Sequence, residues 1–201
     1  MEHIDVNKMP PDALVRRYDI ERQAAVQGFT VPPGYEAVVY HAGDYTGPFR
    51  EGDGLELPKP SGLFKRKFPD DVAVYICRRQ LPKPLYWGLG GLPASGGGTF
   101  GASGQLGLSL SNARVLVRQL CAEQTQLDEA ALTRRLETLV VAHIRPALIS
   151  QVEGMGMRAA KAGLDRLSAG VKEALNPRLY DLGLGLSSLL VENLLYHEGV
   201  S

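Results

Sequence analysis

Long apolar runs, paired cysteines and an excess of either charge are all missing from this chain of 201 residues, and each absence removes a class of function. No window approaches the roughly eighteen apolar residues that a membrane-spanning helix needs. The two cysteines, Cys77 and Cys121, stand too far apart in sequence for a metal-binding pair or a disulfide framework. They read as buried thiols of a protein kept in a reducing compartment. Lys and Arg number 22 and so do Asp and Glu, so no global field draws in nucleic acid or an acidic substrate. The four histidines, His3, His41, His143 and His197, share no ligand spacing, which argues against a metal site. The first residues have neither a basic start nor an apolar core and so do not read as a secretory leader. Glu2 excludes myristoylation, and the last residues are not a prenylation box.

What the chain does have is a change of period. Leu106, Leu108 and Leu110 alternate with small or polar neighbours, the two-residue repeat of a strand with one buried face. From Ser111 or Asn112, either of which can cap a free backbone N–H, Val115, Leu116 and Leu120 follow at helical spacing. Strands are signalled before this point and mainly helices after it. The segregation predicts an α+β domain, a mainly antiparallel sheet of short strands packed against two or three helices.

Along the chain, Pro10-Pro11-Asp12 opens a segment in which Leu14, Val15 and Tyr18 suggest a brief helix, and residues 1–23 read as an extension ahead of the domain at 24–201. Val31-Pro32-Pro33-Gly34 forces a turn into a strand from Tyr35 to His41, stopped at Gly43-Asp44. Leu55-Glu56-Leu57 reads as a short strand, and Val72 to Cys77 as a central one with Arg78-Arg79 leading out to solvent. The glycines and serines from Gly88 to Gly98 read as a mobile loop. Asp128 caps a second helix with a stripe of Leu132, Leu136, Leu139, Val140 and Ile144, which Pro146 should bend or divide. A third helix carries Met157, Ala160, Leu164, Leu167, Val171 and Ala174 and should stop at Asn176-Pro177. From Leu182 the alternation of Leu and Gly returns to strand period and continues toward Tyr196.

No stretch shows a catalytic constellation. Gly96 to Gly101 fits G-x-G-x-x-G, but a proline-rich loop precedes it and a strand follows where a dinucleotide site requires a helix. Ser103 lacks the G-x-S-x-G elbow and a partner base. Two clusters suit contact instead. Phe64-Lys65-Arg66-Lys67-Phe68 places three cations between two aromatics, a pattern that gains on the order of 1 kcal/mol per cation at an anionic leaflet. Tyr86-Trp87 supplies amphipathic aromatics of the kind that anchor interfaces. The alternative to contact is a solvated turn for the first cluster and core packing for Trp87.

Taken together, these stretches resemble the SPFH (band 7, stomatin–prohibitin–flotillin) superfamily, and within it the virion core protein-like bacterial branch, from about Ala24 to Glu198. Val31-Pro32-Pro33-Gly34-Tyr35-Glu36-Ala37-Val38-Val39 resembles its entry motif, and Gly43 with the Gly52 to Leu57 segment the hairpin that follows. Val74-Tyr75-Ile76 and Tyr86-Trp87-Gly88 are similar to that branch's "vYf…kWGt" stretch, with Leu89 where Thr is usual. Gly104 to Ala113 is similar to "G.y.lrv.dp", with Asn-Ala in place of Asp-Pro, and Gly183 to Leu189 to the last strand. The resemblance implies a non-enzymatic scaffold without cofactors, cytoplasmic or peripheral at the inner face of a membrane. Its partners would be a membrane protein or like subunits, with contact to anionic lipid through the clusters above. Most relatives carry a membrane anchor and a coiled-coil arm, which this sequence does not show. The rival readings are a soluble small-ligand carrier and a nucleotide-dependent enzyme using Gly96 to Gly101.

Overall fold

Val72 to Cys77 is apolar on both sides of a two-residue repeat, and such a run is stable only with both of its faces covered. The computed structural model, which describes residues 9–19, 28–41, 43–56, 72–81, 83–95, 97–121 and 126–198, covers both. In chain order its elements are β1 (Ala13–Asp19), β2 (Gly28–Thr30), β3 (Tyr35–His41), β4 (Asp44–Phe49), β5 (Gly54–Glu56), β6 (Val72–Arg78), β7 (Leu85–Pro93) and β8 (Thr99–Leu110). They continue with α1 (Ala113–Leu120), β9 (Gln126–Asp128), α2 (Glu129–Met155), α3 (Met157–Ala162), α4 (Leu164–Tyr180) and β10 (Leu184–His197). This is an α+β protein, with strands before residue 110 and helices mainly after it. The described residues divide into two compact units. One lies within Met1–Pro82 and Leu110–Glu129, the other within Lys83–Ser109 and Ala130–Ser201.

In the first unit the strands run in the order β4-β3-β6-β1-β9, so β6 is the middle strand of five. Its neighbours are antiparallel, with Val38 opposite Tyr75 on one side and Arg17 opposite Tyr75 on the other. Val72, Val74 and Ile76 join Met9, Ala13, Val31, Ala37 and Val39 in one buried cluster. Ala73, Tyr75 and Cys77 are buried as well and point to the opposite face. There α1 packs against β3 and β4 through its buried Ala113, Leu116, Val117 and Leu120. The helix starts where the change of period predicts, since Asn112 Oδ1 accepts the Val115 N–H at 3.1 Å.

One expectation fails in this unit. Residues 13–19 form a strand instead of a brief helix, because pairing with both β6 and β9 satisfies their backbone groups and buries Ala13, Leu14 and Val15. Three apolar residues are too few to fix a helical period against that tertiary pairing.

In the second unit the order is β10-β8-β7. Phe100, Ala102, Leu106 and Leu108 of β8 and Leu85, Trp87, Leu89 and Leu92 of β7 are buried. Helix α4 lies against β10 and buries Leu167, Val171, Leu175 and Leu179. Two of its polar side chains take backbone donors from the strand. Ser168 Oγ accepts the Val191 N–H at 2.8 Å, and Asn176 Oδ1 accepts the Leu186 N–H at 3.0 Å.

Three further expectations are corrected here. The stretch expected as a mobile loop from Gly88 is mostly strand, since β7 runs to Pro93 and pairs Gly88 with Ser103 and Leu89 with Ala102. Its glycines occupy the exposed positions of an alternation whose buried positions are large. Helix α2 is not divided at Pro146, because Leu136, Ile144, Leu148 and Val152 are buried on both sides of the proline and hold the two halves to one surface. It ends before Gly156, whose φ of +77° no helical residue adopts. The third helix is broken at Gly163 and runs through Asn176-Pro177 to Tyr180. Its stop is Gly183, with φ +77° and its N–H bonded to the Tyr180 carbonyl at 2.9 Å.

Candidate functional site

Strand period decides what Tyr86 and Trp87 can do. Successive side chains point to opposite faces, so Trp87 turns inward and is 8% exposed, whereas Tyr86 turns outward and is 75% exposed. The contact pair suggested by adjacency is therefore split between the two faces of β7. The basic cluster Phe64, Lys65, Arg66, Lys67 and Phe68 lies outside the described residues.

Trp87, the single tryptophan of the chain, lines a groove of about 210 Å3 between β7 and α2. The sheet contributes Leu85, Trp87, Leu89 and, from β8, Leu106. Helix α2 contributes Thr133, Leu136, Glu137 and Val141, at spacings of three, four and eight that place them on one helical face. Leu85 and Leu106 are directly paired across the ladder, which makes the floor continuous. Tyr86 and Gly88 line the groove too, although their Cα–Cβ directions lie on the other face, so the groove reaches the backbone of β7 itself. Val141 on the helix side is 40% exposed and faces the same opening. Of the lining residues only Glu137 carries a charge.

The indole is held by what stands opposite it. Trp87 pairs with Gly104, and the ring passes over that glycine. Its Nε1 is buried with no hydrogen-bond acceptor among the described residues. The sequence reading pointed to Tyr86 and Trp87 but missed the α2 wall. Its spacing is helical, but Thr133, Glu137 and Val141 fall beside the apolar stripe and not within it.

The remaining candidates have structural places. Gly97 and Gly98 take φ of +92° and +88° in the turn between β7 and β8, and Thr99-Phe100-Gly101 already belong to β8. No helix starts there to receive a phosphate. Ser103 Oγ accepts from Asn193 Nδ2 at 3.3 Å on the outer face of the sheet. Cys77 and Cys121 are unbridged and buried, and burial pushes the Cys77 thiol well above its ordinary range. Among the described residues no cluster of His, Cys, Asp or Glu has the geometry to hold a metal ion. Nor, among them, is any helix long and apolar enough to cross a membrane. Compared with protein-family models and with curated proteins, the chain matches none.

Proposed function

We propose that this chain is a non-enzymatic interaction module of SPFH-like type, which docks a protein partner at the β7–α2 groove. It works in the cytoplasm, held at the inner face of a membrane or in a larger assembly through that partner. The observation that carries the reading is the groove itself, an apolar cleft with Val141 exposed at its opening, the single tryptophan in its floor and the exposed Tyr86 on the other face of the same strand. Exposed apolar residues that flank a cleft mark contact surfaces more often than do the same residues scattered singly. Support for the scaffold part comes from the sequence resemblance between Ala24 and Glu198. Size separates this reading from a small-ligand carrier. Sites that enclose small molecules run to roughly 300–1,000 Å3, and a groove of about 210 Å3 is closer to one or two side chains of a larger partner.

A photo-crosslinking residue placed at position 133, on the exposed α2 wall of the groove, tests the proposal in cells, with the same residue at Glu173, an exposed position on α4, as control. Discrete adducts from position 133, absent from position 173 and lost when Val141 is replaced by Arg, are expected. Equal labelling from both positions would overturn the proposal. Sedimentation with neutral and anionic liposomes addresses the membrane separately. Salt-sensitive binding that is lost when Lys65, Arg66 and Lys67 are all changed to Ser assigns direct lipid contact to that cluster. No binding leaves recruitment to the protein partner alone.

A further inference from the structure

The two edges of the β10-β8-β7 sheet are finished differently. On β10, α4 reaches over with Ser168 and Asn176 and takes the Val191 and Leu186 N–H groups. On β7, no strand pairs with the outer edge among the described residues. Exposed edges are normally blunted by charge, proline or a bulge. β7 has the last two only at its far end, in the register shift between Leu89 and Leu92 and in Pro93. That leaves Leu85-Tyr86-Trp87-Gly88-Leu89, five residues without a charge, and these same five line the groove. An open ladder and an apolar cleft thus share one stretch of backbone, with a helix wall beside them.

From this we infer that β7 accepts an extended peptide as a fourth strand, in a register that drops one apolar side chain of the peptide into the groove above Trp87. The inference rests on the reading of the groove as a docking site and names what docks there. Main-chain hydrogen bonds to an edge strand supply affinity, and pockets for alternate side chains supply specificity. Here the volume admits one large apolar side chain, or two small ones. Glu137, the single charge on the lining, selects a Lys or Arg within reach of that side chain. The peptide is therefore strand-forming, apolar at alternate positions and basic at one of them. A helix fits less well, because it has no free main-chain groups to offer the β7 ladder.

The test uses the whole chain and a displayed library of randomised octapeptides, selected against the wild type and counter-selected against Val141→Arg. Selected sequences are expected to alternate apolar residues and to carry a Lys or Arg. The leading sequence is then synthesised in four forms: unmodified, N-methylated on one alternate set of backbone nitrogens, N-methylated on the other set, and with its basic residue changed to Glu. Binding is read from the emission of Trp87, which as the only tryptophan reports on this groove alone, and from slowed amide exchange in β7. The unmodified peptide shifts the emission and protects β7 amides, and N-methylation on the ladder side weakens it at least tenfold. Glu137→Lys reverses the preference between the basic and acidic forms. Val141→Arg abolishes binding with the unfolding midpoint unchanged, Val141 being partly exposed.

Four results overturn the inference. N-methylation on either set of nitrogens without effect removes strand addition and leaves the groove as a side-chain pocket. Concentration-dependent dimers that Val141→Arg dissolves give the edge to a second copy of this chain. Failure of every library peptide to enrich, with position 133 still crosslinking in cells, removes the extended peptide but not the docking site. A silent position 133 removes the site.

Discussion

Trp87 and Gly104 face each other across the β7–β8 ladder, and the Leu190 carbonyl of β10 together with the indole occupies the space a side chain at 104 would need. A Cβ built on Gly104 would meet the Leu190 carbonyl oxygen first, and would stand 3.1 Å from Trp87 Cζ2 and 2.9 Å from the Leu190 carbonyl carbon. The ring can turn, but the carbonyl is backbone of the adjoining strand. Gly104→Ala is therefore an overpacking change, expected to cost about 1–3 kcal/mol. Chemical denaturation measures the loss, and the Trp87 emission should shift in the folded state because β10 must move and the ring must shift with it. A stability unchanged within error would contradict the packing described.

A second prediction concerns Ser168, which is 5% exposed and bonds twice. It donates to the Leu164 carbonyl at 2.7 Å and accepts the Val191 N–H at 2.8 Å. Ser168→Ala leaves a buried strand N–H without its acceptor, which costs about 1–3 kcal/mol. Ser168→Thr keeps the oxygen and should retain more stability than the alanine variant. Denaturant midpoints of the three proteins, compared at equal slope, check the order.

The cap of α1 gives a third. Asn112→Ala removes the acceptor for Val115 N–H and should destabilise by about 1 kcal/mol, whereas Asn112→Asp should be close to neutral. Thermal unfolding of both variants decides it.

The fourth follows from burial of ionisable groups around β6. Burial raises the Cys77 thiol well above its ordinary 9.0, and burial likewise raises Tyr75 above its ordinary 10.0, the nearby Arg17 opposing the shift only in part. As pH passes these ordinary values the unfolded chain loses protons that the folded chain retains. The unfolded state then binds fewer protons, so stability falls with rising pH. It should be flat with respect to these groups below pH 9.0 and decline above it, more gently in Tyr75→Phe. Native Cys77 should also resist thiol reagents at pH 8 and react on unfolding, because the reactive species is the thiolate.

Much of the architecture was legible because it is written in local period. Tyr35–His41, the Val72 run, the Asn112 start and the return to strand after Leu182 all carry two- or four-residue repeats strong enough to be read alone. The failures share a cause, which is that the deciding partner is distant in sequence. Leu14, Val15 and Tyr18 suit a helix or a strand until β6 and β9 are beside them. The glycines after Trp87 look like a loop until the alternation of Leu85, Trp87 and Leu89 is weighed against the buried residues of β8. Pro177 reads as a stop, yet α4 passes through it, its buried Leu175 and Leu179 lying on either side of the proline. The site was half legible for the same reason. Aromatic residues announce themselves, but a wall made of Thr133, Glu137 and Val141 appears only when α2 is laid beside β7.

The division of the chain sets a timetable for its synthesis. The strands of the first unit and the helix that covers them are complete once residue 129 has been made, although β7 and β8 are translated in between and belong elsewhere. That hairpin is born early, and a two-stranded ribbon is marginal in water by itself. Its helices and its third strand, β10, come last, so Trp87 and the Gly104 lane wait uncovered through translation of α2, α3 and α4. A ribosome stalled before Leu184 would thus hold a finished first unit beside an unfinished second one, with an apolar hairpin open to chaperones or to unwanted strand pairing.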